Sequence, residues 1–213
     1  MTQQDIVYNY LKQNYAESEP IFLSELSIPG VKDAYLRQCM KKLVENDRIK
    51  RYDTGIYYLP ENSIFRSGSG LSADSVIQKK YLSDHSACCG YMSGLLLANQ
   101  LGITTQVPMV YEVYTNKATT AYRETTLAGI RVILRRPCVE INDRNAAALQ
   151  FLDLMKDISS ISELEGGSLK ERLLAYMNAV NLNFDSLRPY LQYYPERIYK
   201  NMYEAGLLDG ISA

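Results

Sequence analysis

The chain has a single histidine, His85, and four cysteines, Cys39, Cys88, Cys89 and Cys138, none of them in a CxxC spacing. Zinc centres need several thiolate or imidazole ligands at recurrent spacings, so this set argues against one. Neither a catalytic metal nor an organic cofactor is expected. No stretch approaches the roughly 20 apolar residues of a membrane span, and the opening MTQQDIVYNY lacks the basic and apolar regions of a signal peptide. The expectation is a cytoplasmic protein with no membrane partner. Positive charge is not in general excess either. A net charge of −1 and a pI near 5.9 argue against a nonspecific nucleic-acid coat, so any contact with DNA has to come from a local patch, doubled by a homodimer on DNA. Catalytic signatures are missing as well: no phosphate-binding Gly loop with Lys, no nucleophile elbow, no zinc-ligand helix and no closely paired carboxylates at a strand end. Gly166-Gly167-Ser168 followed by Lys170 reads as a connector with a Ser helix cap, and Cys88 and Cys89, three residues past His85, read as small buried thiols at a helix start. The protein is not expected to be an enzyme.

What is present is positive charge in one place. Between Glu25 and Arg51 there are seven Lys or Arg against four Asp or Glu. Within this region Leu36, Cys39, Met40, Leu43 and Val44 recur at the spacing of one buried helical stripe. Ala34, Arg37, Gln38, Lys41 and Lys42 then share the opposite face, with Lys32 just before the helix. Arg can fork onto guanine, Gln onto adenine and Lys onto phosphate, while a small Ala permits close approach. The same residues would also make an ordinary solvated face. The hairpin that follows shifts the balance, because Ile49–Tyr52 and Ile56–Leu59 are short β-type runs joined by Asp53-Thr54-Gly55, with Arg48, Lys50 and Arg51 on this wing. Arg37, Gln38 and Lys41 are expected near base edges and Lys42, Arg48, Lys50 and Arg51 mainly on phosphates.

Upstream, a helix is expected over about Gln3–Tyr15 with Ile6, Val7, Tyr10 and Leu11 inward. A short extended piece at Ile21-Phe22-Leu23 follows, then a brief helix near Glu25 and Leu26 capped by Ser24, then a break at Pro29-Gly30. Helix, strand, short helix, long helix and hairpin make a winged helix-turn-helix over residues 1–60. Such a fold serves DNA binding or protein contact.

Residues 61–70 have the Gly and Ser content of a connector. The remainder, 71–213, is expected to be a small sheet covered by helices, making the whole chain α+β. Helices are read at Ala73–Leu82 with a Ser72 cap, at Gly90–Leu101 stopped by Gly102, at Asn145–Ile158, and at Ser168–Asn181 after a connector from Ser159 to Gly167. Two more follow, the last with Pro195 in its first turn. Strands are read at Val110–Thr115, Gly129–Arg136 and, more weakly, Tyr122–Leu127. The tyrosine count of 18 includes Tyr190, Tyr193, Tyr194, Tyr199 and Tyr203 near the end. Tyrosine suits both core edges and recognition surfaces.

Three segments, RIKRYDTGIYYLP from Arg48, GYMSGLLLANQLGITTQVP from Gly90 and YEVYTN from Tyr111, resemble the bacterial AbiEi-type (type IV toxin-antitoxin) antitoxins and related winged-helix proteins of unknown function. Ile103 stands where that pattern usually has Leu. The resemblance implies a transcriptional regulator that represses its own promoter and an antitoxin whose second domain opposes a nucleotidyltransferase-fold toxin, directly or indirectly. Arg131, Arg135, Tyr193 and Tyr194 are the candidate partner contacts. A winged-helix repressor that senses a small ligand is the alternative, and an enzyme with a tethered winged helix is the third class.

Overall fold

The computed structural model describes residues 2–61, 70–85 and 87–208. The chain is α+β with small sheets, and it divides into two compact units, Met1–Lys79 and Lys80–Ala213. The connector expected over residues 61–70 lies, apart from its two end residues, outside the described residues.

In the first unit, α1 (Gln3–Asn14) is followed by β1 (Ile21–Phe22), one 3-10 turn (Leu23–Glu25), α2 (Asp33–Glu45), β2 (Lys50–Asp53) and β3 (Ile56–Tyr58). A capping box starts α1: the Asp5 amide donates to the Thr2 hydroxyl at 3.2 Å, and the Thr2 amide donates back to the Asp5 carboxylate at 3.1 Å. Val7 and Leu11 of α1 meet Leu36, Cys39, Met40 and Leu43 of α2 in one core, closed by Ile21, Ile49 and Tyr57. The strands lie in the order β1-β3-β2, all antiparallel, with Ile21 opposite Tyr57 and Lys50 opposite Tyr58. Two local expectations are corrected. Ile6 is exposed, because the inward arc of α1 centres on Val7 and Leu11. Leu23 leaves the strand to begin the 3-10 turn, which no side chain caps, so Ser24 is not its cap.

Ser72 caps α3 (Ala73–Ile77), its hydroxyl accepting from the Ser75 amide at 3.1 Å, and the helix widens into a π-helical turn over Gln78–Leu82. Val76, Ile77, Tyr81 and Leu82 are buried along it, as their spacing predicts. The division between the units falls inside this stretch.

A small hairpin, β4 (Ser83–Asp84) with β5 (Ala87–Cys88), opens the next part, followed by β6 (Gly90–Ser93) and α4 (Gly94–Gln100). The helix expected from Gly90 is therefore a strand for its first four residues. Tyr91 pairs with Tyr114 and Ser93 with Glu112, and the chain turns into α4 at Gly94. Gly90 has a steric reason to be glycine: a Cβ there would lie 2.6 Å from the Tyr81 carbonyl oxygen and 2.7 Å from that of Tyr114. At the other end α4 stops at Gly102, with φ 66°. The Gly102 amide donates to Asn99 and the Ile103 amide to Ala98, both at 2.9 Å, which is the paired bonding of a Schellman end.

Strands β7 (Val110–Thr115), β8 (Tyr122–Leu127) and β9 (Ile130–Arg135) complete a sheet ordered β6-β7-β9-β8. A two-residue turn at Ala128-Gly129 slots β9 back between β7 and β8, so β7 and β9 run parallel and the other pairs antiparallel. One face of this sheet carries Tyr91, Tyr114, Arg135 and Tyr122 in a row, and the other carries the buried Val113, Val132 and Leu134.

Helix α5 (Ala146–Ile161) packs on the β6 side and forms the centre of a helical core with α4, α6 (Gly166–Ala179), α7 (Phe184–Leu191) and α8 (Arg197–Glu204). Phe151, Leu152 and Met155 meet Leu97, Leu173, Leu187 and Ile198 there. The connector expected from Ser159 is shorter, since α5 runs on to Ile161 and α6 begins at Gly166. Ser168 thus lies inside the first turn of α6 and is not its cap. Pro195 precedes α8, accepting from the Ile198 amide at 3.1 Å. Val180, at the C-cap of α6, is exposed. Among the described residues no helix is long and apolar enough to cross a membrane.

Gly90→Ala is expected to destabilise the protein by about 1–3 kcal/mol or more, the cost of overpacking against fixed backbone, read as a lowered denaturant midpoint. A pH effect follows from Glu163, whose carboxylate accepts the Thr105 amide and the Thr105 hydroxyl, each at 2.8 Å. Those bonds hold its pKa at about 2, below the ordinary 4.5. A depressed folded-state value means that the contribution is whole above pH 4.5 and is lost as pH falls toward about 2. Over that window Glu163→Gln should lose stability less steeply than the wild type in denaturation curves taken at stepped pH.

Candidate functional site

The buried stripe of α2 fixes what its other side presents. With Leu36, Cys39, Met40 and Leu43 in the core, Ala34, Arg37, Gln38, Lys41 and Lys42 are all exposed, and Lys32 stands exposed at the N-cap without a side-chain capping bond. Arg37 and Gln38 make no side-chain hydrogen bond or ion pair to any described residue. Lys41 pairs with Glu45 at 3.8 Å one turn on. Such an exposed pair is worth little, about 0.2–1 kcal/mol. Tyr35 belongs to the same surface and was not singled out from the sequence. It is 41% exposed, one turn before Gln38, where helical spacing between the inner and outer arcs leaves its direction open.

The basic residues of the hairpin are less uniform than their sequence suggests. Lys50 is exposed and paired to the carboxylate of Asp47, which raises its pKa. Arg51 bonds back onto its own turn, through Nε to the Asp53 carbonyl at 3.2 Å and through Nη2 to the Thr54 hydroxyl at 3.0 Å. Arg48 is half-buried. Its Nη1 lies 3.1 Å from Asp5 Oδ1, and its guanidinium is stacked 3.8 Å from the centre of the Tyr8 ring.

The second unit contains a polar cluster that the sequence did not announce. Asp153 of α5, buried within an apolar helix, accepts from the Tyr91 hydroxyl at 2.5 Å and the Tyr194 hydroxyl at 3.1 Å on one oxygen, and from Lys156 Nζ at 2.8 Å on the other. Lys156 also donates to the Tyr114 hydroxyl at 2.7 Å, and the rings of Tyr91 and Tyr114 stack with centroids 5.4 Å apart. Burial first, then the Asp153 carboxylate, push the Tyr91, Tyr114 and Tyr194 phenols well above the usual tyrosine value. Burial works against the charge of Lys156, but Asp153 and Tyr114 outweigh it and raise that pKa. The cluster is fully paired, and every buried side-chain polar atom among the described residues has a partner.

No family model matches the chain, and no curated protein matches it.

The remaining sequence candidates separate. Arg131 is exposed and paired to Glu124 at 2.7 Å across β8 and β9, while Arg135 is paired to Glu112 and lies 5.5 Å from the Tyr122 ring centre. Both sit on β9, an inner strand, so neither belongs to a sheet edge. Tyr193, Tyr199 and Tyr203 are exposed, whereas Tyr194 is half-buried, its hydroxyl turned inward to Asp153 and Leu149. Cys88 lies on β5 and Cys89 just after it, not at a helix start. Cys89 is buried, which raises its thiol pKa, and the His85 side chain is almost wholly exposed. Among the described residues no group of three or more His, Cys, Asp or Glu is placed to hold a metal ion.

Removing the carboxylate at position 153 would take the acceptor from the Tyr91 hydroxyl and the nearest counter-charge from Lys156, while Lys156 keeps the Tyr114 hydroxyl and Asp157 and Tyr194 keeps the Leu149 carbonyl. Asp153→Ala is expected to cost about 1–3 kcal/mol, the penalty for a buried donor left unsatisfied. Tyr194→Phe should cost about 1 kcal/mol, a single hydrogen bond. Urea unfolding of the two variants would check the order.

Proposed function

We propose that the first unit is a winged helix that binds double-stranded DNA, with α2 in the major groove and the β2–β3 hairpin as its wing. The observation that carries this reading is the outer face of α2, where Arg37 and Gln38 stand exposed between Ala34 and Lys41 without a side-chain partner among the described residues. Arg37, Gln38 and Lys41 are assigned to base edges; Lys42, Lys50 and Arg51 to phosphates. The Lys41 and Lys50 ion pairs are exposed, and a phosphate can replace the carboxylate at small cost.

On this reading the protein is a transcriptional regulator acting on its own promoter as a homodimer, and an antitoxin opposing a nucleotidyltransferase-fold toxin. The antitoxin part is supported by the resemblance over Arg48–Pro60, Gly90–Pro108 and Tyr111–Asn116. The exposed Tyr193, Tyr199 and Tyr203 of the second unit offer apolar area with a hydroxyl for a protein contact.

In gel-shift titrations the chain should bind its promoter fragment with a strong salt dependence. Lys50→Ala and Arg51→Ala should each flatten the plot of log K against log salt by about 0.9. Arg37→Ala should cost roughly 1–3 kcal/mol and relax sequence preference at one base pair. Unchanged binding by an Arg37→Ala, Lys41→Ala, Arg51→Ala triple variant would discard the assignment. For the antitoxin part, the full chain should restore growth to cells making a nucleotidyltransferase-fold toxin encoded beside it, and the triple variant should do so too if protection is separate from DNA binding.

A further inference from the structure

Among the described residues, Arg48 is the cation of the basic region that is bound inward to another helix. It lies between the end of α2 at Glu45 and the start of β2 at Lys50. Its backbone amide is tied to the Leu43 carbonyl at 2.9 Å, while Asp47 before it takes the left-handed conformation at φ 53°. Its side chain crosses to α1. Asp5 Oδ1 accepts from Nη1 at 3.1 Å, and the Tyr8 ring, one turn further along α1, takes the flat of the guanidinium at 3.8 Å. The other Asp5 oxygen is occupied by the Thr2 amide at 3.1 Å and the Thr2 hydroxyl at 2.6 Å. Each part of this arrangement has a defined place: a carboxylate fixed by a capping box, a planar fork on it, and an aromatic face beneath.

We infer that Arg48 is a positioning residue: through Asp5 and Tyr8 it fastens the root of the β2–β3 hairpin to α1 and so sets where Lys50 and Arg51 stand beside α2. This departs from its assignment as a phosphate contact by sequence alone, and it rests on the DNA-binding reading above. The geometry gives the reason for the departure. Lys50 and Arg51 lie two and three residues beyond Arg48 on a short strand, so a change in the angle at which the hairpin leaves α2 moves both together. Arg48 itself has two of its functions, charge and planar face, already engaged within the protein. The Asp5 carboxyl is held at about 2, with the Thr2 hydroxyl and Arg48 as the leading causes, so the carboxylate stays charged under any condition in which DNA binding is measured.

The sign of one substitution separates positioning from direct contact. Asp5 is an acid on a surface proposed to meet phosphate, so by charge alone Asp5→Asn should tighten binding, and it should release Arg48 to a phosphate and steepen the salt slope by about 0.9. By positioning it should do the reverse. The experiment measures promoter affinity and salt slope for the full-length wild type, Asp5→Asn, Arg48→Ala, Arg48→Lys and the Asp5→Asn, Arg48→Ala double variant, with Thr2→Ala as the control for loss of the cap alone. Thermal melting confirms that each is folded at the assay temperature. The expected result is that Asp5→Asn and Arg48→Ala each weaken binding on the order of tenfold, the double variant no more than either, as for two residues of one network. Both single variants flatten the salt slope, by up to about 1.8 as Lys50 and Arg51 lose their phosphates together, and Arg48→Lys, which keeps the charge without the planar fork, does not restore affinity. Thr2→Ala leaves affinity near that of the wild type. A tighter Asp5→Asn complex, a flatter slope for Arg48→Ala that Asp5→Asn does not share, or full rescue by Arg48→Lys would overturn the inference while leaving DNA binding in place. A wild type that does not bind its promoter would overturn the DNA-binding reading and this inference together.

Discussion

Asp153 stands between Leu152 and Leu154 on the buried side of α5, where an unanswered carboxylate would cost several kcal/mol. The second unit is arranged so that it is answered. Tyr91 comes from β6, Lys156 from the next turn of α5, and Tyr194 from the segment between α7 and α8, so one carboxylate ties the sheet to α5 and to the α7–α8 connection. Lys156 extends the tie to Tyr114 on β7. Hydrophobic burial alone would let α5 slide or rotate on the sheet with modest loss, because apolar contacts are not directional. A carboxylate that needs two phenols and an ammonium permits one placement.

This constraint was invisible in the sequence for a plain reason. The stretch around it reads as a strongly apolar helix, and a single Asp followed three residues later by Lys looks like an exposed pair. Elements whose pattern is purely local were legible: β7 and β8 have the predicted bounds, Ser72 caps its helix, and Gly102 stops α4. Gly90–Ser93 reads as helix because the apolar residues of GYMSGLLLANQ are compatible with helical spacing. What decides against helix there is tertiary. Gly90 is pressed against the Tyr81 and Tyr114 carbonyls, and Gly94 turns the chain at φ 63°. The two-residue strands β4 and β5 carry no period long enough to read at all.

The candidate DNA-facing residues show the same division. For α2 the exposed set could be written down from the buried stripe, since the two arcs of one helix are complementary by geometry. The hairpin cations could not be ranked, because what distinguishes Arg48 from Arg51 lies 43 residues away at Asp5. A basic residue in a basic segment carries no sign of whether its charge is offered outward or spent within the fold.

The two units differ in how their charge is disposed, and this bears on what each can recognise. On α2, Arg37 and Gln38 are left outward on a rigid element. In the second unit the arginines singled out from the sequence, Arg131 and Arg135, are matched to Glu124 and Glu112, and Arg197 and Lys156 are matched to Asp157 and Asp153. Near its end that unit turns outward Tyr193, Tyr199 and Tyr203, beside charges that are themselves paired, Lys200 to Glu204 and Arg197 to Asp157. A partner held by such a surface gains mainly from apolar area and single hydroxyl bonds, which salt screens little, whereas a phosphate backbone held by cations is released steeply as salt rises. On the proposed reading one chain therefore carries two recognitions that ionic strength can pull apart. Release from DNA at raised salt, with any contact through the tyrosine surface retained, is the behaviour this distribution of charge dictates.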